Sequence, residues 1–393
     1  MTLKVKPNSI ITYFILTHGL FVINLFLEPV ILTPFQNLDY AITLHIIAMI
    51  FFITTYFLYR VFISYTNSST DEKRYYYPVN FFVVSYIIAF IGLGIAIAQI
   101  MVASSIQEYF LRLAANDSGV GIRDAYLLSF DEGGISGVIK MFTTSTLSVY
   151  LYSLAIPHFT KVSEKEEKQF KFLNYVALVL LITKSILALD RLTILAIIVS
   201  NFFIMVRLKR VFTLRNLLFF FAAISIGNFL TSSRYSELSL YDSVKFYLTL
   251  SLNNFGLMHE SLKGHTYGFE TILHPLIFVF RFLGIDYIGP ESSFNWEDNP
   301  AQYLASWAYQ DFGYGMFILY ALFGWLCAFI DQKALFKHDV FYGAIYFVIL
   351  YCVCLWIVVP PFRGLEFWVA LLIPVLLIRF FAVTSSKNYI VRT

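Results

Sequence analysis

Apolar runs of roughly bilayer-spanning length follow one another along almost the whole chain, and this succession restricts the fold more than any motif does. Such runs, about 17 to 25 residues each, begin near Ile10, Ala41, Val79, Val138, Phe172, Leu192, Asn216, Tyr309, Val340 and Leu365. In hydrocarbon a backbone must satisfy its own amides and carbonyls, so each run reads as a helix. The expected fold is an all-α polytopic integral membrane protein of about ten helices, one membrane domain over residues 1–393. Composition points the same way: hydrophobic residues make up 59%, charged residues 13%, and mean hydropathy is +0.71, values outside the soluble range. No polar segment is long enough to bury a core of its own. The first run follows Lys4 and Lys6 without a small-residue cleavage site, so it reads as an anchor and not a removed signal peptide.

Basic residues set the orientation, because cytoplasmic connections carry the excess of Lys and Arg. If every run crosses once, Arg60 with Lys73 and Arg74, the segment KVSEKEEKQFK, the segment RLKR with Arg215, Lys333 with Lys337, and Lys387 with Arg392 fall on one side. That side is expected to be the cytoplasm, with both termini inside. The net charge of +3 is too small and too spread to suggest nucleic acid. Cys327, Cys352 and Cys354 all lie in apolar runs and offer neither a disulfide framework nor a metal framework.

One long interruption, residues 231–308, breaks the pattern. It holds three of the seven histidines, His259, His265 and His274. A connection of this length between two membrane helices is a tether or a folded functional element, and its content of Phe, Tyr and Trp argues for folding. The apolar run from Thr271 to Ile285 inside it is short and carries Arg281, so it reads as interfacial or re-entrant. Phe246, Tyr247, Leu250, Leu252, Phe255 and Leu257 are spaced for an amphipathic helix.

The orientation leaves basic residues on the outer face, where the charge rule gives them no reason to be: Arg112, Arg123, Lys184, Arg191, Arg234, Lys245, Lys263, Arg281 and Arg363. An ionisable group at the hydrocarbon boundary is costly and often marks a pathway or site. Arg191, Arg234, Arg281 and Arg363 are the candidates for binding a lipid pyrophosphate, because guanidinium gives charged, bidentate contacts to phosphate oxygens. The ordinary alternative is that each pairs with a nearby carboxylate or reaches out to a headgroup. No Gly-rich phosphate loop or Walker pattern is present to drive transport with nucleotide.

The order of parts resembles the Wzy-type oligosaccharide repeat unit polymerases of O-antigen and capsule synthesis. The residues that carry the resemblance are an Arg at the outer turn of a helical hairpin (LDRLTIL), a second Arg after the next helix (SSRYSEL), the long loop, and the closing segment DNPAQYLASWAYQDFGYG. It spans roughly Phe172 to Gly324, and Asn299, Tyr303, Asp311 and Gly313 belong to its closing motif. The resemblance implies a GT-C-like fold and a metal-independent membrane glycosyltransferase without cofactor. Such an enzyme moves a growing glycan from undecaprenyl pyrophosphate onto a second lipid-linked repeat unit at the outer face. The implied partners are undecaprenyl pyrophosphate-linked oligosaccharides, the bilayer, a chain-length regulator and a flippase.

This chemistry needs a group to take the proton from the attacking sugar hydroxyl. His259 and Glu260 are the candidates, on one helix of the loop near Lys263, with His265 next. The competing role for each is a hydrogen bond to local backbone. No His-x-x-x-His or HExxH spacing suggests a metal. An O-antigen ligase shares the architecture and the donor, and stays open as an alternative. So does a transporter of lipid-linked glycans, although the internal repeats expected of one are not evident.

Overall fold

The computed structural model describes residues 9–26, 38–62, 74–103, 142–187, 191–208, 213–232, 245, 251–252, 254–256, 258–259, 262, 264–276, 280, 304–357 and 360–385. Among these the chain is an all-α membrane protein with one short ribbon. The helices are α1 (Ile10–Phe26), α2 (Leu38–Phe62), α3 (Val79–Ala103), α4 (Ser145–Phe159), α5 (Glu164–Leu187), α6 (Arg191–Arg207), α7 (Leu214–Ser232), α8 (Leu304–Phe312), α9 (Met316–Asp331), α10 (Val340–Leu355) and α11 (Leu365–Phe381). Strands β1 (Arg74–Tyr76) and β2 (Val383–Ser385) pair antiparallel. Four stretches are long and apolar enough to cross a membrane: Asp39–Phe62, Val79–Ala98, Glu164–Leu187 and Leu304–Phe336. Shorter apolar helices are Ile10–Ile23, Thr193–Arg207, Asn216–Leu230 and Val340–Leu355.

Two helices begin earlier than their apolar runs suggest. Helix α5 starts at Glu164 and not near Phe172, because Ser163 and Glu166 form a reciprocal cap. The Ser163 amide and hydroxyl donate to Glu166 Oε2, and the Glu166 amide donates back to Ser163 Oγ at 3.3 Å. The helical stretch expected from Tyr309 starts at Leu304, where polar Ser306, Gln310 and Asp311 are buried in spite of their chemistry.

The chain divides into two compact units. The first takes residues 1–65, 237–329 and 350–365, and the second residues 66–236, 330–349 and 366–393. In the first, α1 and α2 form an antiparallel hairpin: Phe14 stacks on Phe52 at 3.8 Å and His18 on His45 at 5.2 Å. Both histidines are fully buried, and His18 Nδ1 and His45 Nε2 share one hydrogen bond of 3.4 Å. Helix α9 runs parallel to α2. Phe317 meets Phe51, and Trp325 and Phe329 meet Tyr59. The two backbones close at Gly324, where a Cβ would fall 2.2 Å from the Phe52 carbonyl oxygen. Small residues allow this approach between helices that no hydrophobic force drives together in lipid.

In the second unit α4 is buried on most sides and its hydroxyls bind neighbouring backbones. Thr146 Oγ1 donates to the Ala89 carbonyl at 2.8 Å, beside Gly92 of α3, and Ser148 Oγ donates to the Ala370 carbonyl at 2.8 Å. Two cations are turned inward. Lys184 Nζ donates to the Thr143 carbonyl at 2.6 Å, and Arg207 Nη2 to the His158 carbonyl at 2.7 Å while its guanidinium lies over Phe159. Lys184 thus has a backbone partner of its own, one of the ordinary explanations for a cation at that level.

Candidate functional site

The first unit gathers the loop histidines, the Asp311 motif and Arg363 around α8. Every residue of α8 from Leu304 to Asp311 is buried, and the Leu304 amide donates to the Trp356 carbonyl at 2.9 Å. Asp311 is the hub at its far end. Its carboxylate accepts from the hydroxyls of Thr266 and Thr271 and from the Thr271 amide at 2.7 Å. The backbone adds Thr266 N–H to the Gln310 carbonyl at 3.1 Å and Tyr267 N–H to the Asp311 carbonyl at 3.0 Å. A fully buried carboxylate is stable when donors surround it in this way, so Asp311 acts here as an anchor for the loop.

Two left-handed glycines let loop and motif close on each other. Gly313, with φ +55, lies under the His265 ring, where a Cβ would come within 3.0 Å of Cε1 and Nε2. Gly268, with φ +90, lies against the Phe312 ring, where a Cβ would come 3.1 Å from Cζ. Tyr267, just before Gly268, is itself left-handed, φ 50, and 81% exposed. A bulky residue in that conformation is costly by about 1 to 3 kcal/mol and persists only where its surroundings over-determine it. The Thr266 and Thr271 bonds to Asp311 do so from both sides.

The aromatic surroundings bring both loop imidazoles to Tyr309, His259 at 5.4 Å and His265 at 6.3 Å between ring centroids. Tyr40, at the start of α2, packs on His259 at 4.0 Å, and its hydroxyl bonds the Tyr314 hydroxyl at 2.6 Å. His265 Nδ1 lies 3.2 Å from the Gln310 carbonyl. A carbonyl only accepts, so Nδ1 carries the proton in this contact and Nε2 of a neutral ring is left as the acceptor. His259 Nδ1 is buried and has no hydrogen-bond partner among the described residues.

Arg363 approaches α8 from another side. Its guanidinium sits 3.2 Å from the Trp307 ring centroid, and its carbonyl is 3.2 Å from His274 Nδ1, a donor contact. At about 100° per residue, Trp307 and Asp311 share a face while Tyr309 points about 200° from Trp307. Arg363 and the two imidazoles therefore flank opposite sides of the helix. Leu252, Phe255 and Met258 of the loop are fully buried, so this part packs apolar side chains into the unit.

Arg191 opens α6 in the second unit, and its side chain lies outside the described residues. Glu260, Arg234, Arg281, Asn299 and Tyr303, with Arg112, Arg123 and Lys263, also lie outside them. Tyr40 and Tyr314 were missed as site residues. Tyr314 sits inside the closing motif and was within reach of the sequence. Tyr40 is 274 residues away from it, and a tyrosine at the head of an apolar run carries no signal beyond that of an interfacial residue. Among the described residues no three His, Cys, Asp or Glu side chains gather to hold a metal. No family model, curated protein or solved structure matches the chain.

Proposed function

We propose that the chain is a membrane glycosyltransferase of the repeat-unit polymerase type, with its acid–base chemistry at the imidazoles beside Tyr309. The acceptor sugar hydroxyl attacks the anomeric carbon of the donor glycan. The bond from that carbon to the pyrophosphate oxygen breaks, the pyrophosphate keeps the electron pair, and the hydroxyl proton passes to an imidazole. The observation that carries this reading is the meeting of His259 and His265 on Tyr309, a residue of the closing segment that contributes to the resemblance. His265 has the tautomer of a base, with Nε2 as acceptor, and His259 has the unpartnered nitrogen.

Arg363 is better suited to clasping the loop through Trp307 and His274 than to facing the imidazoles. The leaving pyrophosphate then falls to Arg191, Arg234 and Arg281, whose bidentate contacts would strengthen as charge develops. Purified protein supplied with lipid-linked repeat units should make polymer in the presence of chelator. His259→Ala or His265→Ala should slow turnover by about 10²- to 10⁴-fold, the usual cost of losing a positioned base. Full activity in the double variant, or inhibition by chelator, would sink the proposal. In a deletion strain, loss of polymer with a single capped repeat retained marks a polymerase, whereas loss of all capped forms marks a ligase.

A further inference from the structure

In the first unit α2 serves as a depth gauge, because its stretch Asp39–Phe62 is long and apolar enough to cross the membrane and α9 packs along it. The α9 backbone meets α2 at Phe52, close to the middle of that stretch, where a Cβ on Gly324 would fall 2.2 Å from the Phe52 carbonyl oxygen. Trp356 lies against both helices at this level, with its ring centroid 6.0 Å from Phe52 and 4.9 Å from Phe323. The Leu304 amide, which opens α8, donates to the Trp356 carbonyl at 2.9 Å. Helix α8 therefore starts near the middle of the bilayer. Its other end lies toward the start of α2: Tyr309 meets Tyr314 at 5.9 Å, and the Tyr314 and Tyr40 hydroxyls share a bond of 2.6 Å. At nine residues, α8 is about 14 Å long, half of the ~30 Å hydrocarbon core. Gly313, with φ +55, then reverses the chain, and α9 runs back beside α8.

A helix that begins at this depth brings polar backbone to a level where lipid cannot satisfy it. The turn Pro361–Arg363 lies there too, because Phe362 packs on Phe323 at 5.3 Å and on Trp356 at 6.4 Å. Arg363 closes the turn, with its guanidinium on Trp307 in the first turn of α8 and its carbonyl on His274. Both Arg363 and His274 are half-buried. Ionisable groups inside a membrane face protein or a water-filled cavity, since lipid contact is costly. The part of these two residues that protein leaves uncovered requires water.

We propose that α8 is a re-entrant half-helix, and that a water-filled vestibule runs down its Trp307 side from the face on which α2 begins to Arg363. The vestibule lies across α8 from the imidazoles and is independent of the glycosyltransferase reading. It gives hydrophilic solutes from that face a path to the middle of the bilayer.

Cysteine labelling of the full chain in sealed membrane vesicles tests this, with a charged methanethiosulfonate that cannot the bilayer cross. A thiol in apolar surroundings stays protonated and inert, so reaction reports water. Arg363→Cys should react from the face on which α2 begins, and so should Gly364→Cys, which keeps Arg363 and falls on extended backbone open to any residue. Ile50→Cys is the lipid-facing control, since Ile50 lies beside Phe52 in depth and is 55% exposed. Both turn positions should react roughly a hundredfold faster than Ile50→Cys, the ratio set by the cost of bringing a charge into lipid. Tyr267→Cys, 81% exposed near the outer end of α8, should react faster still. The three native cysteines are buried and set the background. No reaction at either turn position before denaturation, reaction only from the face on which α2 ends, or a rate at Gly364→Cys equal to that at Tyr267→Cys would each overturn the proposal.

Discussion

A single buried carboxylate decides how the loop is seated. Asp311→Ala would leave the Thr266 hydroxyl and the Thr271 hydroxyl and amide short of an acceptor, at about 1 to 3 kcal/mol for each group that stays dry. Asp311→Asn keeps the shape but turns two donors toward donors. Both variants should insert in the membrane normally and lose protection of the loop against protease, with Ala worse than Asn. Loop cleavage at the parent rate would show that Asp311 is dispensable as an anchor. Gly313→Ala addresses the neighbouring contact, where a Cβ meets the His265 ring in a left-handed backbone that disfavours side chains by about 1 to 2 kcal/mol. We expect lost polymerisation with little change in melting temperature. His265 and the Asp-Phe-Gly segment were readable from sequence because histidine and left-handed glycine are distinctive residue types. The partnership of His259 and Tyr314 with Tyr40 was not, since nothing local connects α2 to residues more than two hundred positions later.

At the scale of elements, α8 shows why the apolar pattern misplaced a boundary. Ser306 and the polar residues that precede Leu304 break the hydrophobic run, and hydropathy alone moves the helix start toward Tyr309. The loop supplies the Asp311 donors from outside the helix, so the polar side chain is buried at little cost. The start of α5 was hidden for the opposite reason: its first turn is charged, and only the Ser163–Glu166 cap shows that it is helical. That cap also receives the Tyr77 amide ahead of α3, so one side chain joins two helix starts. Glu166→Ala should lower stability by about 1 to 2 kcal/mol, the upper range for losing a cap, visible as a reduced melting temperature in detergent. Glu166→Gln, which keeps an acceptor oxygen, should recover part of it. No shift in either variant would reduce the cap to a surface contact.

For the whole molecule, composition and run length were enough to give an all-α membrane protein, because lipid permits so few backbone solutions. The order of charged connections supplies the orientation, and it is testable directly. A cysteine replacing Ser236 or Asn299 should react with an impermeant reagent added from outside, and one replacing Lys165 should not. The reverse pattern would invert the protein and remove the outer-face chemistry with it. The parallel course of α2 and α9 adds a constraint of parity. Two neighbouring helices that point the same way across a bilayer must be separated by an odd number of crossings. Five helices, α3 to α7, lie between them in the chain, and if each crosses once the parity that the α2–α9 packing demands is already met.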